Sequence, residues 1–294
     1  MAYGLYDAFF DTAGTPWTLG QLSQATLTGN ITPLKSRFSG GVVTQAMFVQ
    51  SGAPRLTLVT EDLHTLLTNV SISAGYGLTG TAKIPQQERL DSGTFDSTSN
   101  QYSIDDKLFA FINSITADQG GMAQANVEVV PLSSDGLTTP VTVETGQSLS
   151  SQVFTYNFAL GPAKYGSTAI PGLTRVSINP GMEILYRVYA GGIYPILAFI
   201  SRVDPTITWT FEGTDVQSTL ALFASIGSTC TQYLRRRTEG GTYVANGTGS
   251  HIAFTLSGGL TITDNADASN LEAGTFNVTA HGKTLATSLT ATIS

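Results

Sequence analysis

Two stretches of the chain, GGVVTQAMFVQSGAPRLTLVTE (residues 40–61) and GGIYPILAFISRVDPTITWTFE (residues 191–212), align without a gap when the sequence is moved along itself. Both begin with Gly-Gly, and Phe48 coincides with Phe199. The distance from Gly40 to Gly191, the repeat offset, is close to half of the chain, so the sequence predicts two copies of one domain, not a short-period repeat array. A fused pair of domains can fill two equivalent positions in a symmetric assembly, which favours an architectural role.

Alternation of apolar and polar residues extends through both copies and predicts a mainly β fold. In TITWTFE (residues 206–212) large apolar residues share one face and threonines take the other. Pro54 and Pro205 fall at matched turns between two strands, where a fixed φ is favourable and no ladder hydrogen bond is lost. The predicted strands are 42–50, 55–60, 127–131, 139–144, 152–160, 173–178, 183–190, 193–201, 206–212, 251–257, 259–264, 275–280 and 284–293.

One segment of each copy, EDLHTLLTNVSI (61–72) and GTDVQSTLALFASIG (213–227), has helical periodicity instead. Thr214 or Asp215 can cap the second segment. The apolar stripes comprise Leu63, Leu66, Leu67 and Val70 in the first segment and Val216, Leu220 and Phe223 in the second. Each copy is therefore predicted as strand, turn, strand, helix and further strands.

Four regions follow from these patterns. Residues 25–160 are predicted as the first β domain and residues 161–294 as the second. Residues 1–24 are rich in aromatic side chains and form an arm that packs against a neighbour or folds back on its own core. A long polar excursion at 84–125 is interpreted as a loop, and loops of this length are usually functional, so we expect it to contact other subunits or layers.

Composition favours extensive burial against other subunits. Charged residues make up 12% of the chain, against about 25% in a typical globular protein, and 41% of residues are apolar. The net charge of −7 argues against tight nucleic-acid binding, which requires clustered Lys and Arg. The single cysteine, Cys230, cannot form an internal disulfide and is expected to be a buried small side chain. An extracellular β protein is the alternative interpretation of this composition.

Motifs for catalysis, metal binding or cofactor binding are not found. His64, His251 and His281 lie far apart, and the chain has no HExxH, CxxC or GxSxG motif. Residues 75–80 match GxGxxG, but the match follows a helical segment instead of a strand, which is the wrong context for a dinucleotide site. No pair of carboxylates stands out for glycan hydrolysis. We therefore expect a protein that is not an enzyme and has no cofactor or metal.

The first residues carry Asp7 and Asp11 where a secretion signal requires an apolar core. The most apolar run, GGIYPILAFI (191–200), is shorter than the roughly 20 residues of a membrane span and contains a Pro. We expect a soluble chain that is assembled in the cytoplasm and does not insert into a membrane.

The strand-pair-plus-helix units, the low charge with abundant Thr, Ser and Gly, the acidic balance and the long insertion resemble the tail tube proteins of long-tailed bacteriophages. The resemblance covers the chain from about Gly20 to Ser294. It implies a β-sandwich or half-barrel domain with one flanking helix, present here in two tandem copies. In that family such domains form sixfold rings, so the duplicated variant implies three chains in each pseudo-sixfold ring.

The resemblance also implies function and partners. The protein would be a structural virion component whose stacked rings form the tail tube, a conduit for DNA ejection into the host. Its partners would be further copies of itself, the tape-measure protein and the tail terminator or distal tail proteins. DNA would pass through the lumen without specific binding, because an acidic bore repels phosphates.

Residues at subunit contacts are predicted from the same resemblance. Arg235, Arg236 and Arg237 would pair with carboxylates of an adjacent protomer, an interpretation we favour over a phosphate site. Residues 84–125 would be the stacking loop. The remaining predicted contact residues are Phe95, Tyr102, Phe109, Phe111, Tyr3 and Tyr6.

Two alternatives remain at this point. The first is another structural protein, namely a capsid decoration protein, a distal tail protein or an adhesin-like β-sandwich. It would share the β-rich, weakly charged sequence without a catalytic set. The second is a tail-associated glycan hydrolase, which would need two close carboxylates in a deep cleft.

Overall fold

Strands dominate the chain in the computed structural model, so the mainly β prediction is confirmed. The structure describes residues 3–5, 7–12, 15–36, 46–74, 76–88, 98–147, 157–212, 224–226, 229–238, 242–244, 250–257, 260–267, 275–282 and 289–293. The helix α1 spans Leu63–Asn69. Within this described part, no helix is long and apolar enough to cross a membrane.

The described strands fall into two units, one before residue 148 and one after residue 157. The first unit, which also contains α1, has the strands β1 (Tyr3–Leu5), β2 (Ala8–Thr12), β3 (Thr15–Leu19), β4 (Leu22–Thr28), β5 (Ile31–Ser36), β6 (Ala46–Gly52), β7 (Arg55–Thr60), β8 (Tyr76–Thr79), β9 (Thr81–Glu88), β10 (Ser99–Ile104), β11 (Lys107–Asp118), β12 (Gln124–Leu132) and β13 (Thr142–Gln147). The second unit has β14 (Phe158–Tyr165), β15 (Thr168–Ile170), β16 (Leu173–Asn179), β17 (Met182–Arg187), β18 (Leu197–Val203), β19 (Thr206–Glu212), β20 (Ala224–Ile226), β21 (Cys230–Arg236), β22 (His251–Leu256), β23 (Leu260–Asp267), β24 (Thr275–His281) and β25 (Leu289–Ile293).

These described strands form three large sheets and two separate hairpins, β5–β6 and β17–β18. The central sheet has the order β20-β23-β24-β19-β16-β11-β12-β7-β4, with β8 paired to β11. The first cover sheet has the order β13-β10-β9-β2-β3, with β1 paired to β9. The second cover sheet has the order β25-β22-β21-β14-β15, which is the same arrangement built from the corresponding strands of the second unit.

Strand positions in the first unit recur in the second at the repeat offset. The strands β4, β5 and β6 have the same bounds as β16, β17 and β18 once the repeat offset is applied. Strand register repeats at the same offset, and so does a β-bulge in three pairs of matched strands. Cross-strand partners match as follows: Leu22 lies opposite Thr60 as Leu173 lies opposite Phe211, Ile31 opposite Gly52 as Met182 opposite Val203, and Ile112 opposite Val127 as Thr263 opposite Val278.

Backbone conformation repeats where side chains do not. Gln21 and Asn30 have positive φ, at 53° and 45°, and their counterparts are Gly172 and Gly181, at 76° and 64°. Left-handed conformation disfavours a residue with a Cβ atom, whereas Gly adopts it freely. The second unit thus has the better residues for the same two turns.

These turns predict a position-specific effect on stability. A methyl group at Gly172 would lie 2.2 Å from the carbonyl oxygen of Glu212, so we expect Gly172→Ala to lower the free energy of unfolding by about 2–4 kcal/mol. Gly166 also has positive φ but has no atom within 4 Å of that position, so Gly166→Ala should cost only about 1–2 kcal/mol. Urea unfolding of the two variants measures the difference, and equal effects would contradict this account of Gly172.

One continuous core lies between the central sheet and the two cover sheets. Alternate residues of β7 and β19, including Leu58 and Trp209, point into it. The indole Nε1 of Trp209 donates to Oε1 of Gln232 at 2.8 Å. The Gln232 amide in turn donates to the carbonyl oxygens of Gly161 at 3.0 Å and Tyr233 at 2.7 Å. This buried amide therefore ties the central sheet to the second cover sheet.

Removing the buried amide should destabilise the fold. Gln232→Leu leaves the Trp209 indole N–H and two carbonyl groups without this partner, so we expect a loss of about 3 kcal/mol. Gln119, an exposed residue at a turn, provides the matched control. Gln119→Leu should change the free energy of unfolding, measured in urea, by less than about 0.5 kcal/mol. A similar loss in both variants would refute the bridging role.

The first predicted helix is confirmed and the second is partly wrong. Leu63, Leu66 and Val70 are buried on one face, and the Asp62 carboxylate caps α1 by accepting from the N–H of Thr65 at 3.2 Å. The corresponding segment lies outside the described residues at 213–223. Its last residues, Ala224–Ile226, form a strand because they pair with β23.

The prediction of a long loop at 84–125 is wrong. This region contains the end of β9, all of β10 and β11, and the start of β12. Its strands were hidden because β11 has no simple alternation: the central sheet is covered on both faces there, so adjacent residues are buried. Since β11 lies in the middle of the central sheet, this region cannot be a separate stacking loop, and removing β11 would destroy the fold.

The structure distinguishes between the two interpretations of residues 1–24. Phe10 and Leu19 are buried in the core, and Phe10 stacks on Trp17 at 4.3 Å between ring centroids. Of the two interpretations, the one in which this segment folds back on its own core is the one that the structure shows. The predicted domain boundary between 160 and 161 falls inside β14, which belongs entirely to the second cover sheet.

Candidate assembly surfaces

The two units are joined through a shared strand. The first residues of β11, Lys107–Ala110, pair with β8 of the same unit. Its last residues pair with β16 of the second unit, from Ile115 opposite Ile178 to Asp118 opposite Arg175. One strand therefore has two partners on the same edge and makes the central sheet continuous across both units.

A hairpin of the second unit covers the outer face of the first. Ala198 of β18 is buried in one apolar cluster with side chains of β11 and β12. Partly buried side chains of the hairpin pack on the same cluster. The cluster comprises Phe109, Phe111, Val130, Leu132 and Ala198, and the packed side chains are Met182, Ile184, Tyr186 and Ile200. The junction thus combines strand pairing with burial of an apolar face.

Backbone hydrogen bonds join the connection between β17 and β18 (188–196) to the loop that follows β12 (133–141). The N–H groups of Ile193 and Tyr194 donate to the Gly136 carbonyl at 2.7 and 2.9 Å, and Ser133 N–H donates to the Pro195 carbonyl at 2.8 Å. The Asp135 carboxylate accepts from the N–H groups of the same turn. The hydrogen bonds from the backbone of Thr138 and Leu137 hold the pKa of Asp135 well below its usual range.

Ion pairs contribute little energy to this junction. Arg175 and Asp118 approach to 3.3 Å, but both side chains are about 60% exposed, so their attraction is screened. Arg55 is better placed, because it pairs with Glu128 at 3.3 Å and lies 5.1 Å from the ring centroid of Tyr186. Burial is the main cause that raises the pKa of Tyr186.

The aromatic residues predicted at subunit contacts lie in different environments. Phe109 and Phe111 are buried under the chain's own hairpin and are not available to another subunit, which corrects the prediction made for them. Tyr102 is half-buried on β10, and its role stays a prediction. Tyr3 lies on β1 opposite Glu88, whereas Tyr6 and Phe95 lie outside the described residues.

The three consecutive arginines lie at the end of β21 and just beyond it. The guanidinium groups of Arg235 and Arg237 lie 4.7 and 5.1 Å from the ring centroid of Tyr243. The Tyr243 hydroxyl donates to the Leu160 carbonyl at 3.2 Å, which fixes the ring. Among the described residues, neither Arg235 nor Arg237 has a carboxylate within ion-pair distance. Pairing with another protomer stays a prediction.

Two surface grooves border this arginine cluster, with volumes of about 450 and 400 Å³. Arg235 lines both grooves, and the described residues of their linings include no carboxylate. The described part of either groove thus lacks the acid pair that glycan hydrolysis requires.

The other sequence motifs do not form a ligand site in the described ranges. No group of three His, Cys, Asp or Glu residues there is arranged to hold a metal ion. Residues Tyr76–Thr79 of the GxGxxG match form strand β8.

Large apolar side chains are exposed on both hairpins. Ile31 of β5 and Val49 of β6 are 57% and 45% exposed, and Leu185 and Phe199 form an exposed pair on the outer face of β17–β18. Sequence reasoning missed this pattern because it predicted no strand at 31–36, and alternation alone does not show which face of a hairpin is left uncovered. Exposed apolar side chains gathered on one hairpin are typical of surfaces that bind another chain.

Comparison with protein-family models and with curated proteins finds no match for this chain.

The single cysteine gives a test of core packing. Cys230 is buried, and burial raises the pKa of its thiol to about 11, so about one part in a thousand is thiolate at pH 8. We expect the native protein to resist thiol reagents at pH 8 and to react fully in urea. Mass spectrometry after timed alkylation measures both rates. Rapid modification of the native protein would show that β21 is not packed as described.

Proposed function

We propose that this protein is a structural subunit of a bacteriophage tail tube, in which chains assemble into rings and the rings stack. Each chain would supply two of six equivalent positions, so three chains would complete a ring. The protein would be located in the virion tail after assembly in the host cytoplasm. Its partners would be copies of itself, the tape-measure protein and the terminator or distal tail proteins, while DNA passes through the lumen without specific binding.

The observation that carries the proposal is the pairing of β11 with β16. It joins two copies of one unit head to tail, since the end of β11 in the first copy contacts β16, the counterpart of β4. A head-to-tail contact between like units either closes into a ring or continues as a helical filament. A chain that already contains one such contact is suited to continue it with other copies.

Composition supports the same role. Only 12% of residues are charged, so little charge would be removed from water when the surface is covered. Acidic residues outnumber basic ones, 21 to 14, which is compatible with a channel that DNA passes without binding. A ring that does not stack, as in a distal tail protein, is the alternative that the head-to-tail joint equally favours.

Electron microscopy of the purified chain tests the proposal. We expect hollow tubes, or closed rings that stack when the protein concentration is raised, and native mass spectrometry should give a ring of three chains. Rings that never stack would indicate the distal tail alternative. A protein that stays monomeric at every concentration would refute assembly altogether.

The arginine cluster should contribute to assembly through charge. Reversing both residues, as Arg235→Glu with Arg237→Glu, should raise the protein concentration needed for tube formation by about three- to tenfold, because two exposed ion pairs contribute roughly 1 kcal/mol together. The matched control is Arg235→Lys with Arg237→Lys, which keeps the charge but not the planar stacking on Tyr243. Light scattering measures tube formation. Unchanged assembly in the Glu variant would exclude the arginines from subunit contacts.

A further inference from the structure

We propose that one chain docks onto a second copy of itself by repeating the junction between its own two units. The edge of β4 and the hairpin β5–β6 would bind strands β23 and β24 of the neighbouring chain. This proposal rests on the self-assembly proposed above and specifies which surfaces meet and in which register. It follows from comparing each element of the internal junction with its counterpart in the other copy of the repeat.

The first free surface is a sheet edge. In the internal junction, β16 pairs with β19 on one side and with β11 on the other. Its counterpart β4 pairs with β7 in the same register as β16 with β19, but in the described chain it has no partner on its other side. An edge strand of seven residues, Leu22–Thr28, presents unpaired N–H and C=O groups that favour pairing with another strand.

The second free surface is the end of β23. This strand corresponds to β11 and pairs with β24 and β20 as β11 pairs with β12 and β8. The part of β11 that continues past β8 binds β16. The matching part of β23, which includes Ala266 and Asp267, has no second partner among the described strands. The free edge of β4 and the free end of β23 therefore correspond to β16 and the end of β11, which are the two strand segments that pair at the internal junction.

The hairpin β5–β6 supplies the apolar part. Met182 and Ile200 pack on the cluster that contains Phe109 and Phe111. Their counterparts in the first copy are Ile31 and Val49, which are 57% and 45% exposed in the described chain. The receiving strand β23 has Leu260 and Ile262 at the register positions of Phe109 and Phe111. Apolar residues thus occupy both sides of the proposed contact.

The internal joint also gives the register. Thr116 lies opposite Ser177 in the pairing of β11 with β16. Applying the repeat offset to both positions places Asp267 opposite Thr26 of the neighbouring chain. The ion pair between Asp118 and Arg175 has no counterpart, because residues 269 and 24 are Ser and Gln. The contact between chains would therefore depend on backbone pairing and apolar burial and should be insensitive to salt.

Cysteine pairs test the register directly. Opposite residues of antiparallel strands have Cα atoms about 4.5–5.5 Å apart, within the range that a disulfide spans. We expect Thr26→Cys with Asp267→Cys to give head-to-tail disulfide-linked chains on mild oxidation, at low and at high salt. The matched control, Thr26→Cys with Ala266→Cys, shifts the register by one residue and points the two thiols to opposite faces. Cys230 is buried and should not compete.

The apolar contact is tested separately. Ile31→Asp with Val49→Asp places charge on side chains that are exposed in the single chain, so folding should be retained and ring formation weakened by at least about tenfold. The control is Val143→Asp on the first cover sheet, at a side chain that is 62% exposed and lies outside the proposed contact. Native mass spectrometry measures ring formation, and circular dichroism verifies the fold of each variant.

The outcomes separate this proposal from the proposed function. Cross-linking of the matched pair but not of the shifted pair supports the docking register, and it would do so even if the rings never stack into tubes. Tubes that form while the matched pair fails to cross-link, or while the Asp variant assembles normally, would overturn the docking proposal and leave the tube function intact. Absence of both cross-links and assembly would overturn both.

Discussion

The length of β11 is the constraint on which the arrangement depends. This strand has twelve residues, but β8 covers only its first four on one edge. The remaining N–H and C=O groups of that edge need a partner, because unpaired backbone groups in a sheet are costly when they are buried. Within the chain β16 provides the partner, and this pairing fixes the position of the whole second unit. The hairpin β17–β18 then covers a face of β11 and β12 that would otherwise expose aromatic side chains.

The two copies share a backbone but differ in side chains where their surroundings differ. The internal junction is tethered by the chain, so its two halves meet at a high effective concentration and need little additional affinity. The exposed ion pair of Asp118 with Arg175 contributes more to register than to energy there, and the apolar side chains of Met182 and Ile200 pack on the cluster of β11 and β12. The corresponding residues of the first copy, Ile31 and Val49, are also apolar but are exposed in the described chain, and the ion pair has no counterpart there.

The sequence was informative about the repeat and about strands that have one buried face. Alternation identified β7 and β19, and the repeat offset matched these two strands correctly. Alternation could not identify β11, since Leu108–Ile112 is buried on both faces and therefore has no polar period. The pairing of β11 with β16 joins residues that are distant in the sequence, and neither strand signals its partner locally. The same limitation led to the long loop predicted at 84–125, and a run of adjacent apolar residues such as LFAFI was the one available signal.

A chain with complementary surfaces at its two ends has two physical outcomes. If the rotation between successive units closes, every edge of the central sheet is paired and no free strand remains to recruit further chains. If it does not close, the same contacts continue without limit as a filament. Closure also prevents aggregation. An open assembly of any length would leave a seven-residue strand edge and an exposed apolar hairpin at one end, where further chains could bind. Under the docking that we propose, a repeated unit joined head to tail inside one chain would therefore favour a closed ring over an open filament, and stacking would then require only a second contact along the ring axis.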